Sequence, residues 1–203
     1  LFLGVILVNK VFQYDNPESN HCGSCNQCIK ICPTNAFDAP YKLNATKCIS
    51  YLTIEYKNII PKEFRKDIGN KIFGCDDCLA ICPWNKYAKL SNETKFDYKM
   101  YNFDLQDLLK LSEETFRVQF RGSPVKRIGR DRFLRNCCIS AGNSNNKKLL
   151  PDIIKLLMED KSFIVRGAAV WAFQQLSDEE LYKHIKVKHL NIEKDTSVIQ
   201  EWT

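Results

Sequence analysis

The spacing of apolar positions changes several times along this chain, and each change predicts an element. The opening LFLGVILV is an apolar run rich in β-branched residues and reads as a buried strand. Residues 9–20 are polar, contain Pro17 and read as a linker. Residues 34–37 are expected to continue a short helix, and Ala39-Pro40-Tyr41 to turn the chain. Residues 51–56 fit a short helix or a strand. Pro61-Lys62-Glu63 predicts a helix with Pro in its first turn, running to about Ile68 and stopped by Gly69. Leu105, Leu108 and Leu109 recur at helical spacing within residues 104–111. Ser112-Glu113-Glu114-Thr115 then opens a further helix, its acids at the positive end of the helix dipole, carrying Phe116 and Phe120.

A repeat follows. Residues 135–141, RNCCISA, align with residues 166–172, RGAAVWA, 31 positions later. Phe133, Leu134, Cys137, Cys138 and Ala141 fall on one face of the first copy. Residues 149–158, with Pro151 in the first turn, predict a helix between the copies, and Ser162 can cap the next one. Two helices per repeat with small packing residues suggest a short HEAT-like solenoid, although the period is shorter than the usual ~40. Cys137 and Cys138 align with Ala168 and Ala169, which makes them small core residues.

The other eight of the ten cysteines lie between positions 22 and 82. Cys22-x-x-Cys25-x-x-Cys28-x-x-x-Cys32-Pro33 is the run used by bacterial two-cluster ferredoxins, in which the fourth cysteine ligates the other cluster. Cys75-x-x-Cys78-x-x-x-Cys82-Pro83 repeats it with one cysteine missing, and Cys48 takes that place. The expected ligand sets are therefore Cys22, Cys25, Cys28 and Cys82 on one [4Fe–4S] cluster, and Cys32, Cys48, Cys75 and Cys78 on a second. Zinc ribbons use paired C-x-x-C units but not a third cysteine two residues on and a terminal Cys-Pro. Disulfides would need an oxidising compartment and strained loops. The expected fold is mostly α, a two-[4Fe–4S] ferredoxin-like domain followed by an α-helical HEAT-like repeat region.

Charge adds a second feature. The net charge is +6, and residues 117–135 hold seven basic residues against one acid. Arg132 and Arg135 fall opposite the apolar face of their helix and are expected to point outward. Lys126, Arg127, Arg130, Arg132 and Arg135 are the candidate phosphate contacts of a nucleic acid. No Gly-rich phosphate loop, Ser/His/Asp arrangement or metalloprotease motif is present, and His21, His184 and His189 are isolated in sequence. His21, beside the first ligand, is expected to donate a hydrogen bond near the cluster. No apolar run reaches the ~18 residues of a membrane span.

HCGSCNQCIKICPTNAF, the spacing to CISYLTIE, and IPKEFRKDIGNKIFGCDDCLAICPWN together resemble epoxyqueuosine reductase. RDRFLRNCCISAGNS and VRGAAVWAF are similar to that family's HEAT-like region, and LFLGVIL to the end of its cobalamin-binding domain. The resemblance implies three regions: residues 1–12, the end of a truncated cobalamin-binding domain; 13–90, the two-cluster domain; and 91–203, a tRNA-binding helical region. It implies reduction of epoxyqueuosine to queuosine in tRNA, with electrons passing through the clusters to cobalamin. Ser50 and Asp76 are the positions expected to line the cobalamin side. The family's acidic proton donor lies upstream, so this fragment is expected to be inactive alone. The implied partners are a tRNA and an electron donor, and a cytoplasmic monomer is expected. The alternatives are a cobalamin-dependent reductive dehalogenase-like protein and a non-enzymatic ferredoxin-like electron carrier.

Overall fold

The structure, a computed structural model, describes residues 4–89 and 103–203. Its centre is a pair of helices, α6 (Gly129–Asn143) and α8 (Phe163–Leu176), the two copies of the repeat, packed on one another. Each buries ten residues, with Cys137 and Cys138 fully enclosed. Burial pushes both thiols well above the ordinary thiol range, so they stay protonated and apolar in character. Small residues let the helices close up. A Cβ added at Gly142 would fall 2.6 Å from the Trp171 ring and 3.0 Å from the Ala172 Cα. Helix α7 (Leu150–Glu159), with Pro151 at its start, packs on α8.

Shorter helices close the sides of this centre. Helix α4 (Leu105–Leu109) is capped by Asp104, and α5 (Glu113–Gln119) by a reciprocal Ser112–Thr115 box. Phe116 and Phe120 of this segment meet Phe133 of α6 at ring separations of 5.4 and 4.8 Å. Helices α9 (Glu179–Leu190) and α10 (Thr196–Ile199) follow, each capped by the aspartate before it. Ser162 does occupy the position before α8, but its hydroxyl caps nothing. Instead the Asp160 carboxylate accepts from the Ser162 N–H at 2.9 Å.

The 26 residues between Cys48 and Cys75 belong to the same core. Ile49, Leu52, Ile60 and Ile68 are buried with the residues of α6 and α8. The open choice at residues 51–56 resolves as a π-helical turn, Tyr51–Glu55, with consecutive Leu52 and Thr53 both buried, a pattern that an alternating strand does not give. Helix α2 (Lys62–Ile68) ends at Gly69, whose φ of 60° is the left-handed stop expected of glycine.

Two expected elements do not form. Residues 34–37 are not a helix: Pro33 holds Cys32 extended, Asn35 is left-handed (φ 48°), and Phe37 starts a strand. That strand, β1 (Phe37–Ala39), pairs antiparallel with β2 (Lys42–Leu43) around a turn at Pro40-Tyr41. Nor do residues 4–8 form a strand. Val5 and Leu7 are 87% and 93% exposed, and among the described residues the one sheet, the β1–β2 hairpin, does not take them up as a third strand. Residues 1–3 lie outside the described residues.

Candidate metal centres and basic face

The eight clustered cysteines converge on two cavities. Cys22, Cys25, Cys28 and Cys82 line one of about 280 Å³, walled by Pro83, Trp84 and Tyr87. Cys32, Cys48, Cys75 and Cys78 line the other, of about 230 Å³. Local structure explains the sorting. A turn closed by Cys25 N–H to Cys22 O, with Gly23 left-handed, brings the first two together. Helix α1 (Gln27–Ile31) carries Cys28, α3 (Asp77–Ala80) carries Cys78, and the two helices pack on each other. Cys32 and Cys82 each follow a helix and precede a proline. Proline forces both extended, at ψ 115° and 122°, and the chain carries each sulfur to the cavity of the opposite set.

The donor chemistry fits two four-thiolate clusters. Among the described residues no group of three or more His, Cys, Asp or Glu closes around a single metal ion. Each cysteine set instead surrounds a volume. Burial holds the Cys75 and Cys78 thiols above their ordinary range, an effect that a bound cation such as iron would offset. The second centre is the more enclosed. Cys22 and Cys25 are exposed, whereas all four cysteines of the second set are half-buried. The Ala36 N–H points at Cys32 Sγ at 3.3 Å, a hydrogen bond of the type that tunes cluster potential. His21 stacks edge-on against Trp84 at the mouth of the first cavity and lies 3.9 Å from Glu18.

Ser50 and Asp76 both border the second cavity. The Ser50 hydroxyl is committed: it accepts from Cys75 N–H at 2.9 Å and donates to Cys75 O at 3.1 Å. Asp76 is exposed and its carboxylate caps no helix.

The basic tract divides in two. Lys126 and Arg127 are exposed, and Arg127 pairs with Glu55 at 2.8 Å, an arginine that holds the carboxyl below its usual range. Arg130 is half-buried, bound to Leu111 O and to Asp160 at 2.6 Å. The expected outward orientation of Arg132 and Arg135 is wrong. Arg132 turns back to Ile128 O and Ile54 O. Arg135 is 0% exposed and donates to the Leu52, Tyr56 and Asn58 carbonyls, so it cannot reach a phosphate. Its burial and the neighbouring Arg132 charge depress its pKa to about 9. The wheel failed because the partners lie on the 49–74 segment, which covers that face of α6.

Comparison with known proteins places this arrangement. Residues 21–85 match the family described as a 4Fe-4S double cluster binding domain. Epoxyqueuosine reductase of Pseudomonas aeruginosa is 42% identical over 177 residues, 86% of this chain and 49% of that protein. The chain belongs to the epoxyqueuosine reductase family. The Escherichia coli K12 enzyme of that name is 45% identical over 145 residues, 70% of this chain and 38% of its own. An epoxyqueuosine reductase crystallised with an epoxyqueuosine-modified tRNA-Tyr stem loop superposes with a TM-score of 0.84 at 34% identity, covering 94% of this chain and 51% of that one. This chain spans about half or less of the length of these relatives. All eight cavity-lining cysteines fall inside the double-cluster match, and Cys137 and Cys138 fall outside it. What the motif does not signal in this epoxyqueuosine reductase relative is the support behind the second cysteine set, from Thr53, Arg135 and Asn136. Only their contacts across 21 to 83 residues reveal it.

Proposed function

We propose that this chain is the electron relay and RNA-holding part of an epoxyqueuosine reductase, acting on epoxyqueuosine in tRNA in the cytoplasm as a monomer. Converting an epoxide to an alkene takes two electrons and two protons and releases water. Four-thiolate cubanes carry electrons one at a time, which suits two of them in series fed by an external donor. The observation that carries the reading is the pair of cavities, each lined by one of the two cysteine sets that motif spacing assigns. Cys22, Cys25, Cys28 and Cys82 would hold one cluster, and Cys32, Cys48, Cys75 and Cys78 the other.

A bound cobalamin would supply a strongly reducing cobalt centre. Of the two residues this chain would offer it, exposed Asp76 fits better than Ser50, whose hydroxyl holds Cys75. The RNA would lie on the exposed part of the basic tract, with Lys126 and Arg127 as contacts and half-buried Arg130 and Arg132 behind them. The dehalogenase-like and simple-carrier readings are set aside because the likeness to epoxyqueuosine reductases runs through the helical region as well.

Anaerobic reconstitution tests the relay directly. About eight iron atoms per chain are expected from two four-iron clusters. Four, or stoichiometric zinc, would overturn it. Cys48→Ala should halve the iron, and Cys137→Ala should leave it unchanged.

A further inference from the structure

The second cysteine set is assembled from three stretches of sequence, with Cys48 and Cys75 at the two ends of the 26-residue segment. Two of the contacts that hold those ends together lie within the segment, and a third comes from outside it. Together they form a ladder of polar contacts, half-buried at Ser50 and fully buried at Asn136, that ends on helix α6. Behind Cys48, the Ser50 hydroxyl bonds both backbone groups of Cys75. One layer deeper, the Thr53 hydroxyl donates to Ile49 O at 2.7 Å and accepts from the Gly74 N–H at 3.0 Å. One layer deeper again, the Asn136 amide of α6 donates to Thr53 O at 2.8 Å and to Ile72 O at 2.7 Å, one carbonyl from each limb. Arg135 fixes that amide by donating to its Oδ1 from Nε and Nη2, at 3.0 and 2.9 Å. Asn136 and Arg135 are both 0% exposed.

We infer that Asn136, oriented by Arg135, is a positioning residue for the second cluster: from the helical region it clamps the limbs that carry Cys48 and Cys75 into register. The inference rests on the two-cluster reading proposed above. The physical reason is satisfiability. Thr53 O is buried and Ile72 O and Gly74 N–H are half-buried, and removing a partner leaves a largely desolvated group that must find another. The cheapest relief is for the two limbs to separate. That moves Cys75 away from Cys48, while Cys22, Cys25 and Cys28 lie on a separate stretch of chain and keep their places.

The test uses Asn136→Leu, Thr53→Val and Thr53→Ser in the whole reconstituted chain, with Asn143→Leu as comparison. Asn143 makes a similar pair of bonds from the same helix, but to Arg65 O and Gly69 O, at the end of α2. Iron and sulfide content, the electron paramagnetic resonance spectrum of the reduced protein and far-ultraviolet circular dichroism are read on each. In Asn136→Leu and Thr53→Val, helix content is expected to persist while iron falls from about eight toward four per chain. One cluster signal should be lost or shifted in potential. Thr53→Ser should restore both, and Asn143→Leu should keep both. The inference is overturned if Asn136→Leu and Thr53→Val carry full iron with unchanged spectra and potentials, if both clusters fall together, or if Asn143→Leu loses iron equally. Should Asn136→Leu fail to fold, the Thr53 pair decides alone. A wild-type protein with fewer than about eight iron atoms would instead defeat the two-cluster reading.

Discussion

The sharpest contrast between side chains of one type is that between the arginines. Arg65 is almost wholly buried and forms a two-pronged pair with Glu201, at 2.7 and 2.8 Å, while its Nε bonds Ile60 O. Breaking such a pair from one side strands a charge in the core, at a cost of roughly 3–5 kcal/mol. Glu201→Gln is therefore expected to lower the urea midpoint sharply, and Arg65→Met with Glu201→Leu together to recover much of the loss. Arg127 sits at the other extreme, exposed and paired with an exposed Glu55. Replacing Lys126 and Arg127 by Gln should cost little stability. If the chain holds RNA as proposed, the change should weaken tRNA binding and reduce the salt slope by about 0.7–0.9 for each phosphate no longer neutralised. Unchanged binding and slope would take these two residues out of the interface. Sequence made the cysteines legible because their chemistry is written in local spacing. The arginines were not legible, since an exposed phosphate ligand and a buried carbonyl clamp look alike on a helical wheel. Arg135 finds its partners 77 to 83 residues away.

Among elements, the seam between α6 and α8 depends on residues that have almost no side chain. Gly142→Ala would gain about 1 kcal/mol of helix propensity. It would also drive a methyl group into Trp171 and the Ala172 backbone, and overpacking of this kind costs about 1–3 kcal/mol. A net loss is expected. Gly167→Ala meets mainly the flexible end of Ile59, at 2.5 Å, so its loss should be smaller. Thermal unfolding of the two variants side by side checks the order, and equal losses would contradict it. The repeat, the Gly69 stop, the Ser112 start and the helix after Pro61 were all readable, because caps and breakers act within a few residues. The β1–β2 hairpin was missed because a Pro-Tyr turn lacks the Asn-Gly signature of tight hairpins. The opening apolar run misled because strand composition says nothing of where a pairing edge is.

For the whole molecule, acid removes contributions to stability that two buried groups of the helical region make. Glu193 accepts from Arg166 at 2.6 and 2.9 Å and from the Lys194 and Asp195 amides. These bonds outweigh its burial and draw its pKa from 4.5 to about 2. Its contribution is therefore complete above pH 4.5 and is lost as pH falls from there toward 2. His189 is buried, accepts from Trp202 Nε1 at 3.0 Å, and is held below 6.5 by desolvation. Its neutral form is the native one, so its contribution is lost as pH falls below 6.5. Tryptophan fluorescence is expected to report weakening that starts beneath about pH 6.5 and steepens beneath 4.5. Glu193→Gln should start from lower stability and flatten the steep part. An unaltered pH profile in that variant would refute the assignment. Among the described residues no helix is long and apolar enough to cross a membrane.

The Arg65–Glu201 pair also has a consequence in time. Arg65 lies between the two halves of the cysteine motif, yet its carboxylate partner is made 136 residues later. At synthesis rates of about 5–20 residues per second, the ribosome needs roughly 7–27 seconds to supply it. For most of that interval all eight clustered cysteines are already made, while the Arg65 guanidinium still lacks its carboxylate. Burial of the Arg65 charge, and with it the packing of the segment between the cysteine halves, is thus timed by the far end of the helical region.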